Sequence, residues 1–174
     1  NGNNLAKFFL RSPLKNGRMA SSYNLNRFHP VLKVIKAHLG TDFAAPTGTP
    51  IMTTAKGIII EAGYKINNGN YVKVKHNNTY TTQYLHMSKI GNNIKPGTKV
   101  KQGQIIGYVG STGLATGPHV CYRFWKSGKQ TNPFKEKQSI PNRLEDKYLN
   151  DYLQIFSEIK FKLDKISFDN QIKN

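Results

Sequence analysis

The chain has 174 residues, 37% of them hydrophobic, and 26 Lys and Arg against nine Asp and Glu give a formal net charge of +17 at pH 7. That length suits one domain of ordinary size with an appendage, and the lack of any apolar run of about 18 residues excludes a helical membrane span. The single cysteine, Cys121, excludes an internal disulfide, and a lone cysteine reads first as a small buried hydrophobe.

Asn1-Gly2-Asn3-Asn4 lacks the charged-then-apolar pattern of an export signal. Residues 1–19, with Phe8-Phe9-Leu10 ahead of Pro13, read as an entry segment. From residue 42 to 134 the pattern is β. Alternating runs such as Tyr71-Val72-Lys73-Val74-Lys75 and Thr79-Tyr80-Thr81-Thr82-Gln83-Tyr84 lie between Asn and Gly turn signals. Asn67-Asn68-Gly69-Asn70 and His76-Asn77-Asn78 are predicted hairpin turns. Ile94-Lys95-Pro96-Gly97 leads into a strand at Val100, a tight turn at Gly103, and a second strand through Ile105-Ile106 to Val109. The expected fold is mainly β, a compact antiparallel sheet domain over residues 20–138.

The tail is different. Leu149, Tyr152, Leu153, Phe156, Ile159, Leu163 and Ile166 recur at steps of three and four, the spacing of one helical face. Asn142, with Glu145 three residues on, is a predicted helix start. Residues 139–174 are therefore expected to form a helical extension whose apolar face needs a cover, on this domain or on a partner. Charge divides at nearly the same place. Residues 1–134 carry 18 Lys and Arg and only two acids, Asp42 and Glu61, while residues 135–174 carry eight basic residues and seven acids. The basic part is fit to attract a polyanion: nucleic acid, anionic lipid or an anionic cell-wall polymer.

The residues that carry chemistry are spread over the β region. Asp42 is the lone Asp of the basic segment, four residues after His38, and Gly40 to Pro46 reads as a loop entering a strand. His86 follows a strand. His119 and Cys121 are two apart in Pro118-His119-Val120-Cys121-Tyr122, a spacing that turns both side chains to one side of a strand. A carboxylate, three imidazoles and a thiol on a β scaffold make a zinc site a reasonable expectation. Zinc accepts all three donor types, and a catalytic site keeps three protein ligands with one position open. The glycine-rich run from Gly110 to Gly117 lacks the Lys-Ser/Thr of a phosphate loop and has no helix pattern after it, so it reads as a tight loop beside the site.

Three stretches resemble the LytM/lysostaphin-type zinc metallopeptidases. Arg27-Phe28-His29-Pro30 followed by His38-Leu39-Gly40-Thr41-Asp42-Phe43-Ala44-Ala45-Pro46 resembles their first metal motif. Tyr84-Leu85-His86 resembles their middle motif, and Gly107 through His119 their last. The likeness covers roughly residues 10–134, with the motifs in order. It is strongest to the cell-wall DD-endopeptidase branch of Gram-negative bacteria, and Tyr122-Arg123-Phe124-Trp125-Lys126 is similar to members from Bacteroidetes.

The resemblance implies His38 and Asp42 as metal ligands and His86 and His119 as catalytic histidines. Where the family has His-x-His this chain has His119-Val120-Cys121, so Cys121 stands at the third ligand position, and Arg123 stands where an acid is common. The implied cofactor is zinc, the implied substrate an amide bond in peptidoglycan stems or cross-links, and the implied location the periplasm or cell envelope. The alternatives are a metal-free relative that binds cell wall or activates a cell-wall amidase, a nucleic-acid-binding β domain, and a biotinyl-type carrier. The last lacks a modified-lysine hairpin, and the nucleic-acid reading leaves the metal motif unexplained.

Overall fold

Short strands of alternating polarity, reversed by Asn and Gly turns, build a ten-stranded antiparallel sheet and a separate two-stranded one. The computed structural model describes residues 9–29, 33–136 and 146–171. In chain order the strands are β1 (Arg18–Ser21), β2 (Asn24–His29), β3 (Val34–His38), β4 (Thr41–Ala44), β5 (Pro50–Met52) and β6 (Gly57–Lys65). There follow β7 (Gly69–Lys75), β8 (Tyr80–Ile90), β9 (Lys99–Val100), β10 (Ile105–Val109), β11 (His119–Lys126) and β12 (Lys129–Gln130). Helix α1 (Asp146–Gln171) follows. The chain divides into two units, residues 9–137 and a second unit that contains α1.

The large sheet runs β1-β4-β11-β8-β7-β6-β9. β12 pairs with β11, and β10 pairs with both β5 and β8. Among the described residues, strands β2 and β3 pair only with each other. Both predicted hairpin turns are present, between β6 and β7 and between β7 and β8. The strands at Val100 and at Ile105 also form, though they take different partners: β9 pairs with β6, and β10 with β5 and β8. Phe9 and Leu14, within the stretch read as an entry segment, are buried.

Alternation gives the sheet two unlike faces. One face carries Val72, Val74, Tyr84, Val120, Tyr122 and Phe124, which are buried with Ile51, Ile59 and Ile106. Each such side chain withdrawn from water stabilises the fold by about 1.5–3 kcal/mol before the entropy of ordering it is counted. A buried polar knot crosses this core. The Tyr84 hydroxyl accepts from the Thr54 backbone N–H at 2.9 Å and meets Thr54 Oγ1 at 3.0 Å and Thr82 Oγ1 at 2.9 Å. The opposite face carries Asp42, Leu85, Cys121 and Arg123, and it holds the candidate site.

His76 closes the polar knot. Its Nδ1–H donates to the Lys56 carbonyl at 2.8 Å, so Nε2 is left to accept from the Thr82 hydroxyl at 2.7 Å. Burial pushes its pKa down to about 4, against the Lys56 hydrogen bond, which acts to raise it. The folded state thus holds His76 neutral, whereas the unfolded chain takes up the proton near pH 6.5. This part of the stability is present above about pH 6.5 and is lost as pH falls toward 4, a loss of about 2 kcal/mol for a partly exposed group. Urea denaturation between pH 7.5 and 4.5 checks it: wild type should weaken with acid more steeply than His76→Gln.

In α1, Tyr152, Leu153, Phe156, Ile159 and Leu163 of the predicted apolar stripe are exposed, at 46, 42, 51, 51 and 60%. The predicted start at Asn142 to Glu145 lies outside the described residues. No helix among the described residues is long and apolar enough to cross a membrane.

Candidate metal and catalytic site

Strand register brings the five sequence-predicted residues together. Asp42 on β4 and Cys121 on β11 are direct cross-strand partners, and His119 faces Ala44 two residues along the same pair. Paired residues in an antiparallel ladder point to the same face, so Asp42, Cys121 and His119 share one side. His38 ends β3, and Leu39-Gly40 carries the chain into β4. Gly40 is needed for this passage. A Cβ there would lie 2.7 Å from the Cys121 sulfur and 3.2 Å from Cγ of Arg123.

His86 reaches the site by breaking the strand period. Tyr84 points into the core and Leu85 toward Cys121, in a cluster with Tyr71. Strict alternation would return His86 to the core. Instead the β7–β8 register slips between Asn70 and Val72, which opposes Tyr71 to both Leu85 and His86. His86 has a φ of 63°, in the left-handed region a non-glycine residue rarely occupies. The bulge lies where β8 changes partner, pairing with β11 up to Leu85 and with β10 from Met87.

The distances describe one centre. His38 Nε2 lies 3.1 Å from Asp42 Oδ1, and the Cys121 sulfur lies 3.8 Å from His38 Nε2. The ligand atoms of His38, Asp42 and Cys121 all fall within 4.8 Å of one another, the only such group among the described residues. Bonds of about 2.0–2.3 Å at tetrahedral angles set ligand atoms about 3.2–3.7 Å apart, so this donor set fits a zinc-sized ion. His119 Nε2 is 3.9 Å from Asp42 Oδ1, and the rings of His86 and His119 are 4.8 Å apart.

Each of the three histidines spends Nδ1 on a backbone carbonyl. His38 Nδ1 meets Ser22 O at 3.1 Å, His86 Nδ1 meets Thr112 O at 2.8 Å, and His119 Nδ1 meets Gly117 O at 2.8 Å. A carbonyl only accepts, so it selects the tautomer with the proton on Nδ1 and leaves the Nε2 lone pair for a metal or a proton.

Burial acts on three titratable groups here, His86, Cys121 and Asp42. It pushes His86 down to about 4, against the Thr112 hydrogen bond that raises it, so the ring is neutral at pH 7. It pushes the Cys121 thiol up to about 12, with the Asp42 charge adding to the rise and Arg123 opposing it. It also acts to raise Asp42, but the His38 hydrogen bond and charge, followed by His119 and Cys121, outweigh it and hold the carboxyl below its ordinary value.

Two participants were not singled out from the sequence. Arg27, on β2, places a guanidinium nitrogen 3.6 Å from the second Asp42 oxygen and 2.9 Å from Ser21 Oγ. Thr112 supplies the carbonyl that holds His86; its hydroxyl donates to Met87 O at 2.7 Å and accepts from the Asn70 N–H at 3.0 Å. The signal for Arg27 was its place in the first motif. Thr112 likewise lies within the last motif, but it holds His86 through a backbone carbonyl, which no residue type marks.

The model of peptidase family M23 matches residues 36–133, which include all five site residues. The chain belongs to peptidase family M23. The chain is 40% identical, over 98% of its length, to the peptidoglycan DD-endopeptidase ShyC of Vibrio cholerae, and spans 40% of that protein's length. Among solved structures it resembles a zinc-containing peptidase from Vibrio cholerae, with a TM-score of 0.69 and 37% identity over 75% of this chain and 40% of that one. It also resembles the catalytic domain of lysostaphin from Staphylococcus simulans, with a TM-score of 0.60 and 31% identity, covering 68% of this chain and 90% of that domain. The mainly antiparallel β fold with a C-terminal helix is thus that of an M23 peptidase. The likeness of Tyr122–Lys126 to Bacteroidetes members gains no support from these relatives.

Proposed function

We propose that this chain hydrolyses amide bonds in the peptide stems or cross-links of peptidoglycan, in the cell envelope, with a zinc ion held by His38, Asp42 and Cys121. The observation that carries this reading is the convergence of imidazole, carboxylate and thiol donors within 4.8 Å beside two more histidines with committed Nδ1 atoms. The name of ShyC supports the substrate, since that relative is a peptidoglycan DD-endopeptidase. An amidase-activating relative without metal would have no use for a complete donor set.

Zinc bound here supplies a Lewis acid that polarises the scissile carbonyl. The residues of the chain do the rest. His38 presents Nε2 because Ser22 O occupies Nδ1–H. Asp42 offers one oxygen toward His38, and Arg27 lies near the other. Cys121 gives up its thiol proton on binding a metal, since thiolate is the ligand form. His86, neutral at working pH, accepts a proton at Nε2. His119 presents a second Nε2 lone pair across a 4.8 Å ring separation, and the ring that takes the water proton then donates it from Nε2 to the carbonyl oxygen or the leaving amine.

Release of soluble muropeptides from purified sacculi tests the reading. Chelator treatment should abolish release, and zinc should restore it. Release that proceeds at full rate in excess chelator would contradict a metal-dependent hydrolase.

A further inference from the structure

The site face continues beyond the metal ligands as a row of side chains that the reaction does not use. Arg123 on β11 pairs with Gln83 on β8, and Gln83 pairs with Lys73 on β7. Three adjacent strands thus carry one polar row, about 10 Å from end to end at ordinary strand spacing. Trp125, two residues after Arg123 on the same face, lies with its ring centroid 5.0 Å from Lys73 Nζ. Glu61 closes the far end, and its carboxylate is shared by Lys65 and Lys73 at 3.2 Å each and by the Tyr71 hydroxyl at 2.8 Å.

Arg123 is the anomaly in this row. It stands two residues from Cys121 on the same strand face, and the Cys121 sulfur and Arg123 Cγ both lie against Gly40. Its Nε is buried without a hydrogen-bond partner, and it makes no ion pair among the described residues. A guanidinium is a planar fork of donors matched to a carboxylate, and a buried donor left unpaired is costly. Lys73 extends the positive field away from the site, only partly neutralised by a carboxylate it shares. The thiol is too weak an acceptor to satisfy such a fork. A ligand carboxylate laid across the β11–β8 surface would supply what the row lacks.

We infer that Arg123, with Lys73 beyond the buried Gln83, forms a subsite that grips a free carboxylate of the peptide substrate next to the scissile amide. This deepens the hydrolase reading and rests on it. A peptide offers such groups at its C-terminus and on acidic side chains, and Arg123 makes their presence a condition of efficient cutting. The subsite acts on specificity: its loss removes a preference between substrates.

The test compares muropeptide dimers purified from sacculi with the same dimers after their carboxylates are converted to carboxamides. For the wild type, kcat/KM should favour the free carboxylates by about 10–100-fold, the range of one charge-assisted hydrogen-bonded pair. In Arg123→Gln that ratio should fall toward one, Arg123→Lys should keep part of it, and Lys73→Gln should lower it by less. An equal ratio in wild type and Arg123→Gln, or a wild-type ratio near one, overturns the subsite. If the wild type cuts neither dimer with zinc present, the hydrolase reading fails by itself. Calorimetric binding of the same two dimers to wild type and Arg123→Gln then decides the subsite alone: a carboxylate preference lost in the variant supports it, and no preference overturns it.

Discussion

His86→Ala should bind metal as the wild type does and release muropeptides about 10²–10⁴ times more slowly, the usual cost of removing a proton-transfer group. The expectation rests on where His86 stands. It occupies none of the three donor positions, so its removal leaves the metal site whole. It packs against His119 at 4.8 Å, with Nδ1–H spent on Thr112 O and Nε2 left to face the site. Burial keeps the ring neutral at pH 7, with a pKa pushed down to about 4, so its proton-accepting form predominates. Alanine also relieves little of the left-handed backbone, and the bulge, set by strand pairing, should persist. The measurement is release from sacculi with metal content determined on the same sample. A variant that cuts at the wild-type rate would remove His86 from the chemistry.

Gly113→Ala should destabilise the β unit by at least about 2 kcal/mol and impair hydrolysis as well. Gly113 has a φ of 74°, where an L side chain is strained by roughly 1–2 kcal/mol. A Cβ there would fall on the Gly69 backbone nitrogen, far inside contact distance, and Gly69 itself has a φ of 63° against the Thr112 backbone. Two backbones meet with no side chain between them, so overpacking adds to the strain. The functional consequence follows from Thr112, which lies between these glycines and holds His86 Nδ1. Pushing the loop outward removes the carbonyl that sets the His86 tautomer. Urea denaturation and sacculus digestion below the unfolding midpoint check the two effects separately. Wild-type stability together with wild-type activity would show that the loop is not held as described.

Local signals in the chain specify much of this architecture. The alternation through Val72 and Val74 and the Asn-Gly turn at residues 67–70 fix the β6–β7 hairpin, because a period of two and a left-handed glycine have few other solutions. The same period puts His119 and Cys121 on one face. Nonlocal pairing is less legible. Nothing in Tyr84-Leu85-His86 announces that β8 trades β11 for β10 there, and a period-two reading alone sends His86 into the core. Strands β1 to β3, which deliver Arg27 and His38, are short and exposed, with Leu25, Phe28 and Ile35 at 60, 62 and 74% exposure. They carry little of the buried alternation by which strands are recognised. The role of Thr112, which lies within the last motif, is not legible there because a backbone carbonyl has no residue type.

Zinc titration of the chelator-stripped protein, wild type beside Cys121→Ser, tests the central claim most directly. Cys121 is the residue in which this donor set departs from an all-nitrogen-and-oxygen one, and its sulfur lies 3.8 Å from His38 Nε2. An outer partner of a metal ligand is commonly worth about 10–100-fold in affinity, so loss of the ligand atom itself should weaken binding by more than about 100-fold. The account predicts one zinc per wild-type chain and far weaker binding in Cys121→Ser at unchanged fold. A wild-type chain that stays metal-free in the presence of zinc, or a Cys121→Ser variant that titrates with the wild-type affinity, would contradict it.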